Sequence, residues 1–361
     1  MVDTLVSGAS ASRRVGSTPI SGTKAQSQDW AFFIIFAFVI VNTMKIAFLD
    51  AATMGDVSFE PIARLGEFIT YPGSTPQQAR ERVRGLDVLI INKIIVDKEL
   101  IDSASSLKLI CISATGVNNI DVEYAASKGI PVRNVAGYST DSVVQSTYMH
   151  ILSLVGGAPY FDRSVKSGDY SRSGMFTDPN WNWWELAGKT IGIIGLGNIG
   201  RKVASIAEAF GMKVCYFSTS GTGHCTDYPC LALEELLAQS DIVSVHAPLN
   251  ERTNGLIGER ELAMMKPTAF LVNMGRGAIV DEYALAKAVD DGVIAGAGLD
   301  VLGVEPMEKT NPLGKIQDSR KLLITPHMAW ASVEARTRCL EEVYKNIEAF
   351  VNGEERNRVD I

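Results

Sequence analysis

The sequence predicts an α/β protein with two doubly wound parallel-sheet domains, and three observations predict it. Short Ile/Leu/Val-rich runs recur along the chain and read as strands buried on both faces. Between them lie stretches of helical periodicity, several closed by glycine, so strand and helix alternate as they do around a parallel sheet. The length, 361 residues with 46% hydrophobic residues and 32 glycines, accommodates two such domains.

Taken in order, the first strand set begins at Met44. Its strands are "KIAFLD" (45–50), "VLIIN" (88–92) and "LKLICIS" (107–113), with helices expected in "FEPIARLG" and "PQQARERVRG". A long helical segment, 141–168, follows and is interrupted at Gly156-Gly157. Its length suits a spine between domains. The stretch "SRSGMFTDPNWNWWELAGK" (171–189) reads as an extended loop, and its three tryptophans suit packing against a partner subunit. The second set comprises "KTIGIIGLGNIG" (189–200), "MKVCYFS" (212–218), "DIVSVHAPL" (241–249), "AFLVNMG" (269–275), "GAGLDVL" (296–302) and "LLITPH" (322–327). "RKVASIAEAFG" and "LEELLAQS" are helices among them, and "SVEARTRCLEEVYKNIEAFVNGE" is one amphipathic C-terminal helix.

Residues 1–28 are rich in Ser, Gly, Thr and Ala without an apolar period, and disorder is expected there. The apolar run at 30–41 is 12 residues long, whereas a bilayer span takes about 20. Residues 1–43 read as a misassigned or non-functional extension ahead of a true start at Met44, with a membrane-associating anchor as the rival reading. A net charge of −7 and the lack of a basic run argue against a nucleic-acid surface. Five scattered cysteines, none in C-x-x-C spacing, suit reduced thiols and hence the cytoplasm. His224, Cys225 and Cys230 lack a fourth ligand, so no metal is expected.

"GIIGLGNIG" contains G-x-G-x-x-G at Gly195, Gly197 and Gly200, after an apolar strand and opening a helix, the context that marks a dinucleotide-binding turn. Gly195 allows the turn, Gly197 lets backbone approach a pyrophosphate, and Gly200 lets helix and strand pack closely. At the end of the next strand, where an acidic residue would hold ribose hydroxyls, the chain has Ser218, then Thr219 and Ser220. No carboxylate there would repel a 2′-phosphate and no arginine there would bind one, so NAD and NADP both stay open.

"VNMGRGAIVDE", "GAGLDVLGVEP" and "ITPHMAW" each place a polar residue at or just past a strand end, where ligands of open α/β sheets bind. Arg276 offers a planar fork for a carboxylate, although taken alone it also suits an arginine that bonds loop carbonyls. Glu305 and His327 suit a hydrogen-bonded pair in which the carboxylate fixes the imidazole as a general acid. Of the other histidines, His150 reads as structural, His224 as an exposed loop residue, and His246 as a backbone contact because its strand runs straight into Pro248.

Together with the glycine fingerprint and "SVHAPLNERTNGLI", these motifs resemble the D-isomer-specific 2-hydroxyacid dehydrogenases from about Met44 to the C-terminus, and "HMAWAS" resembles the glycerate dehydrogenase (hydroxypyruvate reductase) branch. The resemblance implies two Rossmann-like domains. The substrate domain would be discontinuous (44–142 plus 330–361), with an NAD(P)-binding domain at 143–329. It implies catalysis by Arg276, Glu305 and His327. Cofactor contacts would come from Gly195, Gly197, Asn198, Ile199, Gly200, Ser218, His246, Pro248, Thr253 and Met274, with Asp300 on the nicotinamide carboxamide. Lys93 in "INKIIVD", the Thr115, Gly116 and Val117 backbone, and Arg276 would meet a small 2-oxo acid. A homodimer is implied as well. Glyoxylate or D-lactate-type reduction is the alternative substrate reading, and an NAD(H)-sensing corepressor-like binding protein is the alternative of another class.

Overall fold

The computed structural model describes residues 44–223 and 225–360. The expectations placed on 1–43, the apolar run at 30–41 among them, and on His224 lie outside the described residues. The first sheet holds β1 (Lys45–Phe48), β2 (Glu67–Thr70), β3 (Val88–Ile91), β4 (Leu109–Ile112) and β5 (Val132–Arg133), all parallel, in the order β2-β1-β3-β4-β5. The second holds β6 (Thr190–Ile194), β7 (Lys213–Phe217), β8 (Ile242–Val245), β9 (Phe270–Asn273), β10 (Gly296–Leu299) and β11 (Leu322–Ile324), also parallel, in the order β11-β10-β9-β8-β6-β7. Each sheet reverses its strand order once, between β1 and β3 and between β6 and β8. A crevice for a ligand opens at the carboxyl ends of the strands at such a switch point.

The apolar runs become strands because both faces are covered. Every residue of β3, β4, β8, β9 and β10 is buried. Burying one such Ile, Leu or Val side chain contributes about 1.5–3 kcal/mol. The C-terminal helix (Val333–Val351) crosses back to the first sheet, where Ala335, Cys339, Leu340, Val343 and Ile347 share a core with Ile46, Phe48, Val88 and Leu109. Buried Arg133 ties that return, donating to the carbonyls of Asn346 and Glu354 at 2.6 Å each.

The expected spine is two helices, Thr140–Gly156 and Ala158–Lys166, broken where Gly157 adopts φ 64°. A side chain at Gly157 would also lie 2.5 Å from the Trp181 ring. Two of this loop's three tryptophans pack against this chain itself. Trp181 sits on Gly157, and Trp184 stacks on Phe270 at 6.3 Å, so only Trp183 stands exposed. Two strands escaped the sequence reading: β2 is a mostly exposed edge, and β5 is two residues long. "FEPIARLG" contributes only the short helix Glu60–Ala63. Among the described residues no helix is long and apolar enough to cross a membrane.

Candidate active site

His327 lies just past β11 in a left-handed conformation, φ 51°, which a non-glycine residue adopts only under constraint. The constraint is visible. Its N–H donates to the Asp300 carbonyl at 2.8 Å and to the Thr325 carbonyl at 2.9 Å. The backbone so held brings Nδ1 to 2.6 Å from Glu305 Oε2. The other Glu305 oxygen accepts the Leu302 N–H at 3.0 Å, so the carboxylate is gripped from both sides. Burial works to raise the Glu305 carboxyl, but the His327 hydrogen bond and charge, the Leu302 N–H and the Lys93 charge together hold it below the usual carboxylate value. With the Nδ1 proton donated to this anion, Nε2 is left for a reacting group. The side chains are 24% and 33% exposed, so the pair is partly desolvated yet accessible.

Arg276 follows β9, the strand beside β10, past whose end Glu305 lies. Its Nη1 donates to the Gly275 carbonyl at 2.8 Å, and Asn273 donates to the Arg276 carbonyl at 3.0 Å. The other side of the guanidinium faces the first sheet's domain. A Cβ on Gly116 would sit 2.7 Å from Arg276 Nη2, so the "ATGVNN" loop after β4 and Arg276 share one cleft. The Thr115 hydroxyl is spent on the Val135 carbonyl past β5 at 2.8 Å. Lys93, after β3, reaches the same cleft. Desolvation lowers its ammonium; Glu305 and Asp50 oppose this, and Arg276 adds to it.

Asp50 escaped the sequence reading. It ends the β1 run, is buried, and accepts the N–H groups of Asn92 at 2.8 Å, Lys93 at 2.6 Å and Ile94 at 3.1 Å. Burial raises its carboxyl despite these three bonds. It fixes the loop that carries Lys93, at the first sheet's switch point. An acidic residue closing an apolar strand was the one signal that could have found it.

At the second switch point the glycine turn fits a dinucleotide. Gly195 has φ 91°, and a Cβ there would lie 2.9 Å from the Ala247 backbone. A Cβ on Gly200 would lie 2.3 Å from the Gly195 carbonyl oxygen, whereas around Gly197 nothing stands within 4 Å. Gly197 and Asn198 are exposed, at the N-terminus of the helix Asn198–Ala209, whose first N–H groups suit a pyrophosphate. Ile199 is partly buried against the core.

Other expected cofactor residues are placed differently. Pro248 is exposed, but Thr253 is buried and closes its turn, donating to the Pro248 carbonyl at 2.6 Å. The Met274 side chain belongs to the core. His246 bonds Ser244 at 2.8 Å, and burial pushes its pKa down to about 3, so the ring is neutral and no acid. Asp300, expected on the carboxamide, is buried and accepts from Thr325 Oγ1 at 2.5 Å, Met328 N at 2.9 Å and Ala329 N at 2.8 Å, so it holds the His327 loop. The Ser218 hydroxyl is turned inward onto the Thr222 carbonyl at 2.6 Å. The arginine missing beside Ser218 in sequence arrives through space. Arg252, from the loop after β8, donates to the Ser220 carbonyl at 3.0 Å and lines one pocket with Ser218, Thr219 and Gly221.

Comparison with known proteins agrees with this geometry. Residues 148–329 match the family model described as D-isomer specific 2-hydroxyacid dehydrogenase, NAD binding domain. The chain is 36% identical over 319 residues to the glycerate dehydrogenase of Methylorubrum extorquens, covering 88% of this chain and 99% of that protein. It is 33% identical over 329 residues to the hydroxypyruvate reductase of Blautia hydrogenotrophica, covering 88% and 100%. Among solved structures, the NADPH-dependent glyoxylate/hydroxypyruvate reductase of Sinorhizobium meliloti superposes with a TM-score of 0.76 at 27% identity, covering 88% and 98%. The strand-end chemistry and the shared sequence lead to one conclusion: this chain belongs to the D-isomer-specific 2-hydroxyacid dehydrogenases, NAD(P)-dependent oxidoreductases acting on the CH–OH group.

Proposed function

We propose that the chain reduces hydroxypyruvate to D-glycerate, with His327 as proton donor, Glu305 as its orienting anion and Arg276 as the carboxylate anchor. The observation that carries this reading is the 2.6 Å His327–Glu305 pair in the cleft where Arg276 lies against Gly116. The substrate carboxylate would rest on the Arg276 fork and the Thr115–Val117 backbone. A bound nicotinamide dinucleotide supplies the hydride that forms the new C2–H bond. As that bond forms, the carbonyl electron pair moves onto oxygen, and His327 Nε2 delivers the proton that makes the hydroxyl. Arg276 offsets the charge developing on that oxygen. Glu305 stabilises the imidazolium before transfer and holds the ring in place after it. Lys93 at the cleft favours a small polar substituent on C3, hence hydroxypyruvate over pyruvate.

Arg252 favours NADPH. A guanidinium beside Ser218 and Thr219, with no carboxylate at that strand end, suits a 2′-phosphate. The partly exposed Met149, Leu152 and Phe210 offer an apolar face to a second copy, in keeping with a homodimer. The free cysteines suit a reducing cytoplasm. The test is oxidation of NADH and NADPH with hydroxypyruvate, glyoxylate and pyruvate in turn. Highest kcat/KM with hydroxypyruvate and NADPH is expected. A preference for glyoxylate or pyruvate would overturn the substrate assignment, and dinucleotide binding without turnover on any of them would favour a sensor.

A further inference from the structure

We propose that His150, outside the catalytic set, is a positioning residue that holds His327 in place through Thr325 and Asp300. His150 lies on the helix Thr140–Gly156, is 1% exposed, and projects beneath the ends of β10 and β11. Its Nδ1 is 2.9 Å from the Ser146 carbonyl oxygen, which can only accept, so Nδ1 carries a proton. Its Nε2 is 3.3 Å from Thr325 Oγ1. Thr325 has a single hydroxyl proton, and the 2.5 Å contact to Asp300 Oδ1 takes it, because a carboxylate is the stronger acceptor. Thr325 Oγ1 therefore stands between His150 Nε2 and the Asp300 carboxylate. The contacts run His150–Thr325–Asp300, from the helix to a buried carboxylate.

Asp300 transmits this to the site. Its carboxylate accepts the N–H groups of Met328 and Ala329, and its carbonyl accepts that of His327. These bonds hold the backbone on both sides of the left-handed His327. Fixing the Thr325 hydroxyl fixes which Asp300 oxygen faces β11 and thereby the direction in which Nε2 of His327 points. The sheet makes room for the arrangement. A Cβ on Gly298 of β10 would lie 3.1 Å from both Cβ and Cδ2 of His150, so glycine is the residue that lets the imidazole reach Thr325. The same helix takes a second hold on this loop, where Ser142 donates to the Ala329 carbonyl at 2.5 Å.

The inference rests on His327 being the proton donor, and the experiment separates the two. His150→Leu removes both ring nitrogens and keeps an apolar volume; His150→Gln restores a polar group of similar reach. Thr325→Val and the double variant His150→Leu/Thr325→Val complete the set, with His327→Gln as reference. His150→Leu is expected to lower kcat roughly two- to thirtyfold, the range for residues acting through a network, with KM for hydroxypyruvate and the NADPH Kd little changed. His150→Gln recovers most of the loss, and the double variant is no slower than Thr325→Val alone. Wild-type kcat in folded His150→Leu, no recovery in His150→Gln, or losses that multiply in the double variant would each overturn the proposal. If His327→Gln itself retains full turnover, the proton-donor reading fails instead.

Discussion

At the scale of single residues, the site depends on a few groups held more tightly than their neighbours. A non-glycine residue at φ 51° carries strain of order 1–3 kcal/mol, and at His327 two backbone acceptors and the Glu305 ion pair offset it. Substituting His327→Gln keeps a side chain of similar reach without an acid. We expect kcat to fall by about 10²–10⁴, the usual contribution of a general acid, while NADPH binding persists; steady-state kinetics with parallel fluorescence titration would show both. Arg252 makes a different prediction. Arg252→Ala should weaken NADPH by about tenfold, worth about 1.4 kcal/mol for one charge-assisted contact, and leave NADH unchanged. Calorimetric Kd values for the two dinucleotides would check it, and equal losses for both would remove Arg252 from the phosphate site. His327, Glu305 and Arg276 were legible in the sequence because each stands at the end of an apolar strand. Asp50 and Arg252 were not legible in role. Asp50 acts on residues 92–94 and Arg252 on residue 220, and no local pattern links such pairs.

Among the elements, the turn between β6 and its helix leaves no room for a side chain at Gly200. The 2.3 Å separation between a Cβ at Gly200 and the Gly195 carbonyl is a clash with backbone, which no side-chain rotation relieves. Gly200→Ala should therefore push helix and strand apart, at a cost of about 1–3 kcal/mol, and abolish dinucleotide binding. Urea unfolding and quenching of protein fluorescence by NADPH would report the two effects, and a stable variant that still binds NADPH would contradict this account. The strands themselves illustrate what pattern can carry. β8, β9 and β10 announce themselves because covering both faces demands unbroken apolar runs. β2 does not, because an exposed edge places no such demand on its residues.

For the whole molecule, the half-buried, neutral His246 links stability to pH. In the unfolded chain this imidazole titrates near 6.5 and in the native state near 3, so between those values the unfolded state binds the extra proton. Stability is then full above the upper value and declines as pH falls towards the lower one, by at most about 1.4 kcal/mol per pH unit for one proton. Urea midpoints from pH 7 to pH 4 should fall more steeply for the wild type than for His246→Gln; matching slopes would show that His246 is not the group responsible. Glu305 acts in the same direction at lower pH, since a carboxyl held below its usual value gives up its contribution only as pH falls through the native pKa. The sequence by itself determined the two parallel-sheet sets, the glycine turn and the places of Arg276, Glu305 and His327 past strand ends, because burial and turn chemistry act over a few neighbouring positions. Only the tertiary structure decided that Asp300 grips the His327 loop, that Arg252 reaches Ser220, and that His150 meets Thr325. Those contacts join residues 25 to 175 positions apart, and they exist only once the sheet has assembled: the first and third at the β10–β11 edge beneath a helix, the second near the opposite, β7 edge.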